Sequence, residues 1–297
     1  MRTVFLGTSE FAASVLRALA LSDHRPTLVV SRPDRPQGRG RRLAAPPVAA
    51  ASHELGLELY QPESVNDEAA RARITAAEPE AVCVCAFGAL IKDPLLSEHA
   101  MLNVHPSLLP RWRGAAPVER AIMAGDAETG VSIMHVTAGL DSGPVCAQAR
   151  VPIESRDTYG TLAQRLQGLG GRLLVDVLDR RPSCREQSES GVTYAEKLSP
   201  ADRLLDPAHD ADALERMVRG LTPHIGAAVL LGDGERLGVW EARVLDRPPA
   251  QTPSGELDLS GAAPILACAR GALELVSVQP AGKRAMLGSD YLRGRRR

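Results

Sequence analysis

Two polar residues interrupt an apolar run between Leu102 and Pro106, and their side chains could act on a carbonyl group. Asn103 and His105 are two positions apart, so in a β-strand both side chains would lie on one face of the sheet. Pro106 has no backbone N–H to donate, which predicts that the strand ends there. An amide beside an imidazole could stabilise a developing oxyanion and could move a proton. Taken alone, the pair is explained more simply by the ordinary polarity of a strand end.

A cluster of positive charge follows the second apolar run of the chain. Residues 32–42, called the basic loop below, contain five arginines and one aspartate, a local charge of +4. Prolines and glycines in this segment predict an irregular excursion that is longer than a minimal connection. Arginine pairs with phosphates and stacks on unpaired bases, as binding to the end of an RNA would require. A solvated basic loop is the alternative that charge alone favours.

These residues need a scaffold, and the first half of the chain predicts one in which short apolar runs alternate with helical patterns. The strand-like runs are Val4–Leu6, Leu28–Val30, Leu57–Tyr60, Ala81–Ala86 and Met101–His105. Strands that are separated by helices pair in parallel, which predicts an α/β domain with a Rossmann-like, doubly wound sheet. Because ligands bind at the carboxyl ends of such strands, the end of the last run is a candidate site.

The pattern changes after a long predicted helix, which runs from Thr158 to Leu178. Residues 181–205 are rich in polar residues and form the expected linker. Beyond the linker, one short helical pattern precedes only strand-like runs, which are 227–231, 237–244, 265–269 and 273–278. Such strands in fewer than about a hundred residues predict a small OB-like β-barrel. The expected organisation is a catalytic domain at 1–180, a linker at 181–205 and an OB-like domain at 206–297.

Composition narrows the class of protein further. The 297 residues carry 35 basic and 36 acidic side chains, which argues against a general binder of nucleic acid. No apolar run reaches the roughly 18–20 residues that span a membrane, and the first apolar run is too short for a signal peptide. The five cysteines are scattered and lack metal-ligand spacing. We therefore expect a reduced, cytoplasmic protein without a membrane contact or a metal site.

Two motifs resemble those of the formyltetrahydrofolate-dependent formyltransferases. The first is N-x-H-x-S-L-L-P at Asn103–Pro110, and the second is L-D-S-G at Leu140–Gly143. Shorter matches at Gly125–Val131, Tyr194–Leu198 and Gln279–Lys283 extend the resemblance over nearly the whole chain. Within the family, the sequence is most similar to the branch that acts on methionyl-initiator tRNA. The resemblance implies transfer of a formyl group from 10-formyltetrahydrofolate to the methionine α-amino group, for translation initiation.

The resemblance also implies catalytic roles for Asn103, His105 and Asp141. The nucleophile would be the substrate's own α-amine, whose reference pKa of about 8 leaves a neutral fraction near pH 7. Neither a protein nucleophile nor a metal is then required. Asn103 and His105 would donate hydrogen bonds to the oxyanion, and Asp141 would orient His105 and favour its charged form. Without the resemblance, Asp141 is more simply a turn residue.

Binding residues are implied in the same way. For the folate they are Phe87, Gly88, Leu90, Ser107, Leu108, Leu109 and Pro110. For the tRNA they are Arg35, Arg39, Arg41 and Arg42 of the basic loop, with Lys283 and Arg284 near the C-terminus. We expect the protein to act as a monomer.

Three other functions stay open at this point. The nearest is a related folate enzyme, either a hydrolase of 10-formyltetrahydrofolate or an amino-sugar formyltransferase. Pro106 stands where many members of the tRNA branch have glycine, and it resembles the hydrolase domains there. A catalytically silent tRNA-binding protein is the second, although pure binding would not need the three polar residues. A nicotinamide-dependent oxidoreductase is the third, and Gly7-Thr8-Ser9 lacks the glycine fingerprint that it would need.

Overall fold

The five strands predicted in the first half all form, and the main sheet gains two further strands, Glu128–His135 and Val145–Pro152, that the sequence did not indicate. The computed structural model describes residues 1–37, 42–232, 234–246, 253 and 255–295. In chain order, its first elements are β1 (Thr3–Gly7), α1 (Glu10–Ala20), β2 (Pro26–Val30), β3 (Arg35–Gln37), β4 (Arg42–Ala44), α2 (Pro47–Glu54), β5 (Leu59–Tyr60), α3 (Glu68–Ala76), β6 (Ala81–Cys85), α4 (Leu95–Glu98), β7 (Met101–His105) and β8 (Arg113–Gly114). They are followed by α5 (Pro117–Ala124), β9 (Glu128–His135), β10 (Val145–Pro152), α6 (Tyr159–Arg180) and β11 (Tyr194–Ala195).

Seven strands form the main sheet, in the order β10-β9-β7-β6-β1-β2-β5. The run from β7 to β5 is parallel, which confirms the predicted Rossmann-like sheet. Strand β9 pairs with β7 in the antiparallel sense and, with β10, extends the sheet beyond the predicted strands. Strand β7 therefore has a neighbour on each side, so the end that carries His105 lies inside the sheet and not at its edge.

The turn after β1 explains why Gly7 is a glycine, although the sequence analysis found no ligand-binding fingerprint there. A Cβ atom on Gly7 would lie 2.6 Å from Cε1 of Phe5 and 2.9 Å from Cβ of Ala12, so only glycine fits. Ser9 then caps helix α1, because its hydroxyl accepts a hydrogen bond of 3.2 Å from the N–H of Ala12. The segment is thus a tight strand-to-helix turn, as the missing fingerprint indicated.

The core of this sheet consists of strands that are buried on both faces. All residues of β1 and β6 are buried, as continuous apolar runs in a covered parallel sheet predict. Cys83 and Cys85 lie in β6 and are fully covered, which confirms that both belong to the core. This covered layer fixes β6 and β7, and thereby fixes the loops that follow them.

A second set of elements builds an antiparallel β domain. After a short 3-10 turn (Ala201–Arg203) come α7 (Ala211–Leu221), β12 (Ala227–Leu230), β13 (Arg236–Leu245), β14 (Leu257–Asp258), β15 (Ile265–Ala267), β16 (Ala272–Gln279), β17 (Met286–Leu287) and α8 (Gly288–Arg295). The strands pair in the order β12-β13-β16-β15-β14, and β17 pairs with β16. Helix α7 buries Leu214, Val218 and Leu221 in the core of this domain. The predicted β domain is confirmed, with its strands close to the expected positions.

The chain divides into two compact units that interleave along the sequence. The first comprises Met1–Gly114, Thr129–Val151 and Ala163–Tyr194, and the second comprises Ala115–Glu128, Pro152–Leu162 and Ala195–Arg297. This division differs from the predicted succession of 1–180, 181–205 and 206–297. The reason lies in α5, which packs against α7 and contributes Met123 to the core of the β domain. The expected catalytic domain, linker and OB-like domain, with their boundaries, therefore stay a prediction.

Candidate active site

The three predicted catalytic residues meet in the first unit, although Asp141 lies far along the sequence from Asn103 and His105. Asp141 lies in the connection between β9 and β10. Its Oδ1 is 3.5 Å from Nδ2 of Asn103, and its Oδ2 is 3.6 Å from Nδ1 of His105. Asn103 and Asp141 are half-buried, and His105 is buried. The arrangement places an amide, an imidazole and a carboxylate around one point at the end of β7.

The imidazole of His105 is held from both sides. Its Nε2 lies 2.9 Å from the backbone carbonyl oxygen of Trp112. Because a carbonyl oxygen only accepts hydrogen bonds, Nε2 carries the hydrogen in this contact. Nδ1 then faces the carboxylate of Asp141. This pattern fixes the ring plane and leaves Nδ1 as the nitrogen through which Asp141 acts on the ring.

Asp141 is fixed by backbone contacts as well as by its neighbours in the site. The N–H of Gly114 donates a hydrogen bond of 2.8 Å to its Oδ2. Its φ angle is +44°, a conformation that non-glycine residues rarely adopt. Such a conformation persists only where surrounding contacts hold it, and it is found most often at functional sites. The carboxylate is therefore positioned before any substrate binds.

The contacts that hold this loop involve two residues that the sequence analysis missed. The side-chain amide of Gln187 donates hydrogen bonds of 2.8 Å to the carbonyl oxygens of Asp141 and Gly143. Its Oε1 accepts a hydrogen bond of 3.0 Å from Nε of the buried Arg113. Gln187 falls in the segment that was interpreted as a linker, and no local pattern marks it. We find that this segment anchors residues 136–143 between β9 and β10, the proposed catalytic loop.

The segment from Ser107 to Pro110, predicted to bind folate, is tied into the protein by its own polar groups. Ser132 Oγ donates to the carbonyl of Ser107 at 2.7 Å and accepts from the N–H of Leu109 at 3.1 Å. Ser107 Oγ donates to the carbonyl of Arg111 at 2.6 Å. Ser107 and Leu109 are buried, whereas Leu108 and Pro110 are half-buried. The half-buried pair is the part of this segment whose side chains are better placed to contact a ligand.

The other predicted folate residues lie at the end of β6. Phe87 and Gly88 line a cavity of about 350 Å³, together with Thr8, Ser9, Arg32, Pro33, Arg35, Ala44, Pro46, Pro47 and Ala86. Leu90 is 70% exposed and is not among these lining residues. The cavity wall is held by hydrogen bonds from Thr8 Oγ1 to the carbonyl of Phe87, at 2.7 Å, and from Arg32 Nη1 to the carbonyl of Gly88, at 2.6 Å.

Arg32 adds a polar feature to this cavity that the sequence analysis did not single out. Its Nε is buried and makes no hydrogen bond within the described part of the chain. A buried donor without a partner is uncommon in native proteins and is satisfied when an acceptor enters. The cavity is therefore lined both by the aromatic residue Phe87 and by Arg32, whose buried Nε has no partner in the described part of the chain.

The residues predicted to bind tRNA are exposed wherever the structure describes them. Arg35 and Arg42 lie on β3 and β4, which pair in the antiparallel sense, with Arg35 opposite Ala44. Arg39 and Arg41 lie outside the described residues. In the second unit, Lys283 and Arg284 are exposed, and Gln279 Nε2 donates to the carbonyl of Lys283 at 2.9 Å. The structure thus leaves these four charges available to a phosphate.

The expectation of a fully reduced protein is not what the structure shows. Cys146 and Cys184 form a disulfide across 38 residues of sequence. Cys83, Cys85 and Cys268 are free and buried. Spacing along the chain did not reveal the pair, because the fold brings β10 beside the segment that follows α6. Within the described residues, no helix is both long and apolar enough to cross a membrane.

Comparison with known proteins agrees with this geometry. Residues 1–178 match the family model described as formyl transferase, and residues 197–296 match that of the formyl transferase C-terminal domain. These matches and the fold define a formyltransferase. The methionyl-tRNA formyltransferase of Stenotrophomonas maltophilia is 45% identical, over 100% of this chain and 98% of its own length. The chain belongs to the formyltransferase family, in the branch of the methionyl-tRNA formyltransferases.

Two solved structures share the fold at lower identity. The N-formyltransferase of Helicobacter canadensis, in complex with folinic acid and dTDP-3-aminofucose, has a TM-score of 0.68 and 11% identity over 93% of this chain and 99% of that chain. HypX of Aquifex aeolicus, in complex with tetrahydrofolic acid, has a TM-score of 0.67 and 16% identity over 98% of this chain. This chain spans 47% of the HypX chain. At such identities the similarity shows the fold alone.

Proposed function

We propose that this protein transfers the formyl group of 10-formyltetrahydrofolate to the α-amino group of methionyl-initiator tRNA. The observation that carries the proposal is the convergence of Asn103 and His105 on Asp141, with contacts of 3.5 and 3.6 Å. This convergence occurs in a chain whose full-length relatives are methionyl-tRNA formyltransferases. The product is formylmethionyl-tRNA, which serves translation initiation.

The reaction needs a neutral amine and a place for negative charge. The amine nitrogen attacks the formyl carbon, and a C–N bond forms while the carbonyl electrons move to oxygen. Asn103 retains an amide N–H that can donate to this oxyanion. Preorganised donors of this kind lower the barrier because they require no reorganisation when the charge appears. The two ring nitrogens of His105 face Trp112 and Asp141 in this structure, so His105 donates to the oxyanion only after its ring turns from one of these partners. The intermediate then collapses, the bond to the folate nitrogen breaks, and that nitrogen takes up a proton.

Asp141 serves two needs of this reaction. Its carboxylate orients the ring of His105 through Nδ1, and it contacts the amide of Asn103. Once the C–N bond has formed, the amine nitrogen carries a positive charge, which the Asp141 carboxylate stabilises. The same carboxylate can then take up the proton that leaves this nitrogen, through a water molecule that it holds. The fixed position of Asp141 between Gly114 and Gln187 supports this assignment.

For the folate, the proposal assigns Phe87 and Gly88 in the cavity. It also assigns Leu90 and the segment from Ser107 to Pro110, which follows β7, the strand that pairs with β6. Phe87 offers an aromatic wall, and backbone groups near Gly88 offer polar partners, as mixed pockets for cofactors do. Each of these roles extends from the family motif. Binding measurements with tetrahydrofolate and substitutions in the cavity wall would test them separately from the transfer step.

For the tRNA, the proposal assigns the basic loop and the two basic residues after β16. Arg35, Arg39, Arg41 and Arg42 would contact the acceptor end, and Lys283 and Arg284 would extend the contact. Their attraction to phosphate makes binding depend on salt concentration. The further proposals are that the enzyme acts as a monomer and works in the cytoplasm, where initiator tRNA is charged.

An acceptor panel tests the proposal. The enzyme would be incubated with 10-formyltetrahydrofolate that carries a labelled formyl group and with methionyl-initiator tRNA, methionyl-elongator tRNA, free methionine, a nucleotide-linked amino sugar or no acceptor. We expect label on the initiator tRNA ester. Formate released at the same rate without an acceptor would instead show a hydrolase, and label on the sugar would show a different acceptor class.

A further inference from the structure

Three side chains that could ligate a metal ion lie together beside the catalytic loop. His135 is the last residue of β9, Cys146 is the second residue of β10, and Cys184 follows α6. One ligand atom from each residue lies within 4.8 Å of the other two, and all three residues are half-buried. The group belongs to the first unit and is made of residues other than Asn103, His105 and Asp141.

Backbone pairing holds the two cysteines together whether or not their sulfurs are bonded. The N–H of Val145 donates to the carbonyl of Arg185 at 2.8 Å, and the N–H of Arg185 donates back to Val145 at 2.9 Å. In an antiparallel pair of strands, hydrogen-bonded pairs of residues alternate with pairs that are not hydrogen-bonded, and the Cα atoms are closer in the second kind of pair. The residues beside Val145 and Arg185 form a pair of this second kind. These residues are Cys146 and Cys184, whose Cα atoms are 3.9 Å apart.

His135 is held in the same group by the loop that leaves and re-enters the sheet. Its N–H donates to the carbonyl of Pro144 at 2.9 Å, which closes the loop from 136 to 143 at its base. A Cβ atom on Gly143 would lie 2.0 Å from the carbonyl oxygen of His135, so a glycine is required for this close approach. The two ends of the catalytic loop and the segment after α6 therefore each contribute one candidate ligand.

Two thiolates and an imidazole are a ligand set that suits zinc. Zinc binds cysteine sulfur at about 2.3 Å and histidine nitrogen at about 2.0–2.1 Å, in tetrahedral geometry. Ligand atoms of such an ion lie somewhat less than about 4 Å apart, so small side-chain rotations bring the three atoms into place. The set has no carboxylate, which disfavours magnesium and calcium. A water molecule would complete the fourth position.

We propose that His135 and the reduced thiols of Cys146 and Cys184 bind one zinc ion, and that the disulfide is the metal-free state of the same site. A dithiol reductant supplies two electrons and two protons to the disulfide and becomes a disulfide itself. The two thiols formed then lose two protons as the ion binds. Re-oxidation by a disulfide-bearing partner transfers two electrons from the two thiolates to the partner's disulfide, which takes up two protons from water and becomes two thiols, and the ion is released. This inference does not depend on the proposed transfer reaction.

Cobalt titration tests the proposal, because Co²⁺ replaces Zn²⁺ and reports thiolate ligands by its colour. The full-length protein would be reduced with a phosphine, freed of reductant without oxygen and titrated with Co²⁺. We expect one equivalent to give thiolate charge-transfer bands and tetrahedral ligand-field bands, which Zn²⁺ abolishes. The oxidised protein should give neither. A reduced wild-type protein without these bands would overturn the proposal.

Variants assign the ligands. We expect Zn²⁺ affinity to fall more than about tenfold in each of three variants, His135→Ala, Cys146→Ser and Cys184→Ser. Removing a residue that only hydrogen-bonds to a metal ligand already lowers metal affinity by about 10–100-fold, and removing a ligand itself should cost more. His209→Ala changes an exposed histidine of the second unit and should bind as the wild type does. Unchanged binding by His135→Ala would contradict the proposed site. Where a variant does not fold, X-ray absorption of the wild-type zinc protein decides, since it should show two sulfur ligands and one imidazole.

Discussion

The side-chain amide of Gln187 donates a hydrogen bond of 2.8 Å to the backbone carbonyl of Asp141, across 46 residues of sequence. The same amide reaches the carbonyl of Gly143, and its oxygen accepts from the buried Arg113. Asp141 has a positive φ angle, so its carboxylate depends on contacts that hold the loop. The segment after α6 thus acts as a support for the reacting groups.

Gln187→Met tests this support, because methionine has a similar length but cannot donate. We expect kcat to fall while the KM for tRNA changes little, since the loop would lose two hydrogen bonds without losing a substrate contact. A net hydrogen bond contributes about 0.5–1.5 kcal/mol, so loss of both predicts a fall in kcat of about fivefold to 150-fold if the loop moves. Steady-state kinetics and a pH–rate profile would measure this. Glu186→Ala, an exposed neighbour, is the control. Equal rates for both variants would exclude a positioning role.

Gly143→Ala tests the close approach at the base of the catalytic loop. The added methyl group would lie 2.0 Å from the carbonyl oxygen of His135, so the loop must shift. Overpacking of this kind costs about 1–3 kcal/mol, and we expect both stability and turnover to fall. Gly168→Ala is the matched control, because its new Cβ would meet only the end of the Arg172 side chain, at 3.6 Å.

Urea unfolding and formyl transfer would be measured for both glycine variants. In helix α6, Gly168→Ala should keep full activity and gain up to about 1 kcal/mol, because alanine favours helix more than glycine does. A fully active Gly143→Ala protein with wild-type stability would show that the loop adapts without cost.

Arg42→Ala tests the basic loop. Arg42 is exposed on β4, and loss of a phosphate contact should raise the KM for tRNA and leave kcat nearly unchanged. The slope of log affinity against log salt should fall by about 0.7–0.9 for each contact removed. Arg180→Ala removes another exposed arginine, at the end of α6, and should change neither quantity. The same salt slope for Arg42→Ala and the wild type would place Arg42 outside the tRNA contact.

Burial of thiols in β6 predicts how stability depends on pH. Desolvation raises the pKa of Cys83 to about 12, whereas an unfolded chain ionises its cysteines near pH 8.5. Above about pH 8.5 the unfolded state loses a proton that the folded state keeps, so the free energy of unfolding falls as the pH rises. Cys83→Ala should make this decline shallower in urea unfolding experiments under reducing conditions. Val82→Ala creates a cavity in the same strand and should leave the slope unchanged. Parallel declines for Cys83→Ala and the wild type would contradict this origin.

The sequence predicted what local patterns can encode. The alternation of β7 placed Asn103 and His105 on one face, and the apolar run of β6 predicted a strand buried on both sides. Both follow from side-chain periodicity and from the burial of apolar groups, which act over a few residues. The role of Asp141 came instead from a motif match, because nothing near it distinguishes a catalytic carboxylate from a turn residue.

Other features depend on contacts that sequence distance hides. Gln187 binds backbone carbonyl groups, which every residue type carries. The types of its partner residues therefore leave no pattern in the sequence from which the contact could be predicted. Cys146 and Cys184 meet only because an isolated bridge pairs Val145 with Arg185. Helix α5 joins the second unit through its packing on α7, which interrupts the expected order of domains. Each of these outcomes is decided by tertiary packing and not by local preference.

Single-turnover transfer of a labelled formyl group to methionyl-initiator tRNA tests most directly whether Asn103, His105 and Asp141 act together. For the wild-type protein we expect label on the tRNA ester and no formate release without tRNA. For Asn103→Ala we expect a transfer rate about 10²–10³-fold lower, as for loss of one oxyanion donor, with unchanged affinity for tRNA. His105→Ala and Asp141→Ala should behave alike. Wild-type transfer rates in these variants, or an equal loss of tRNA binding and transfer, would contradict the assigned roles.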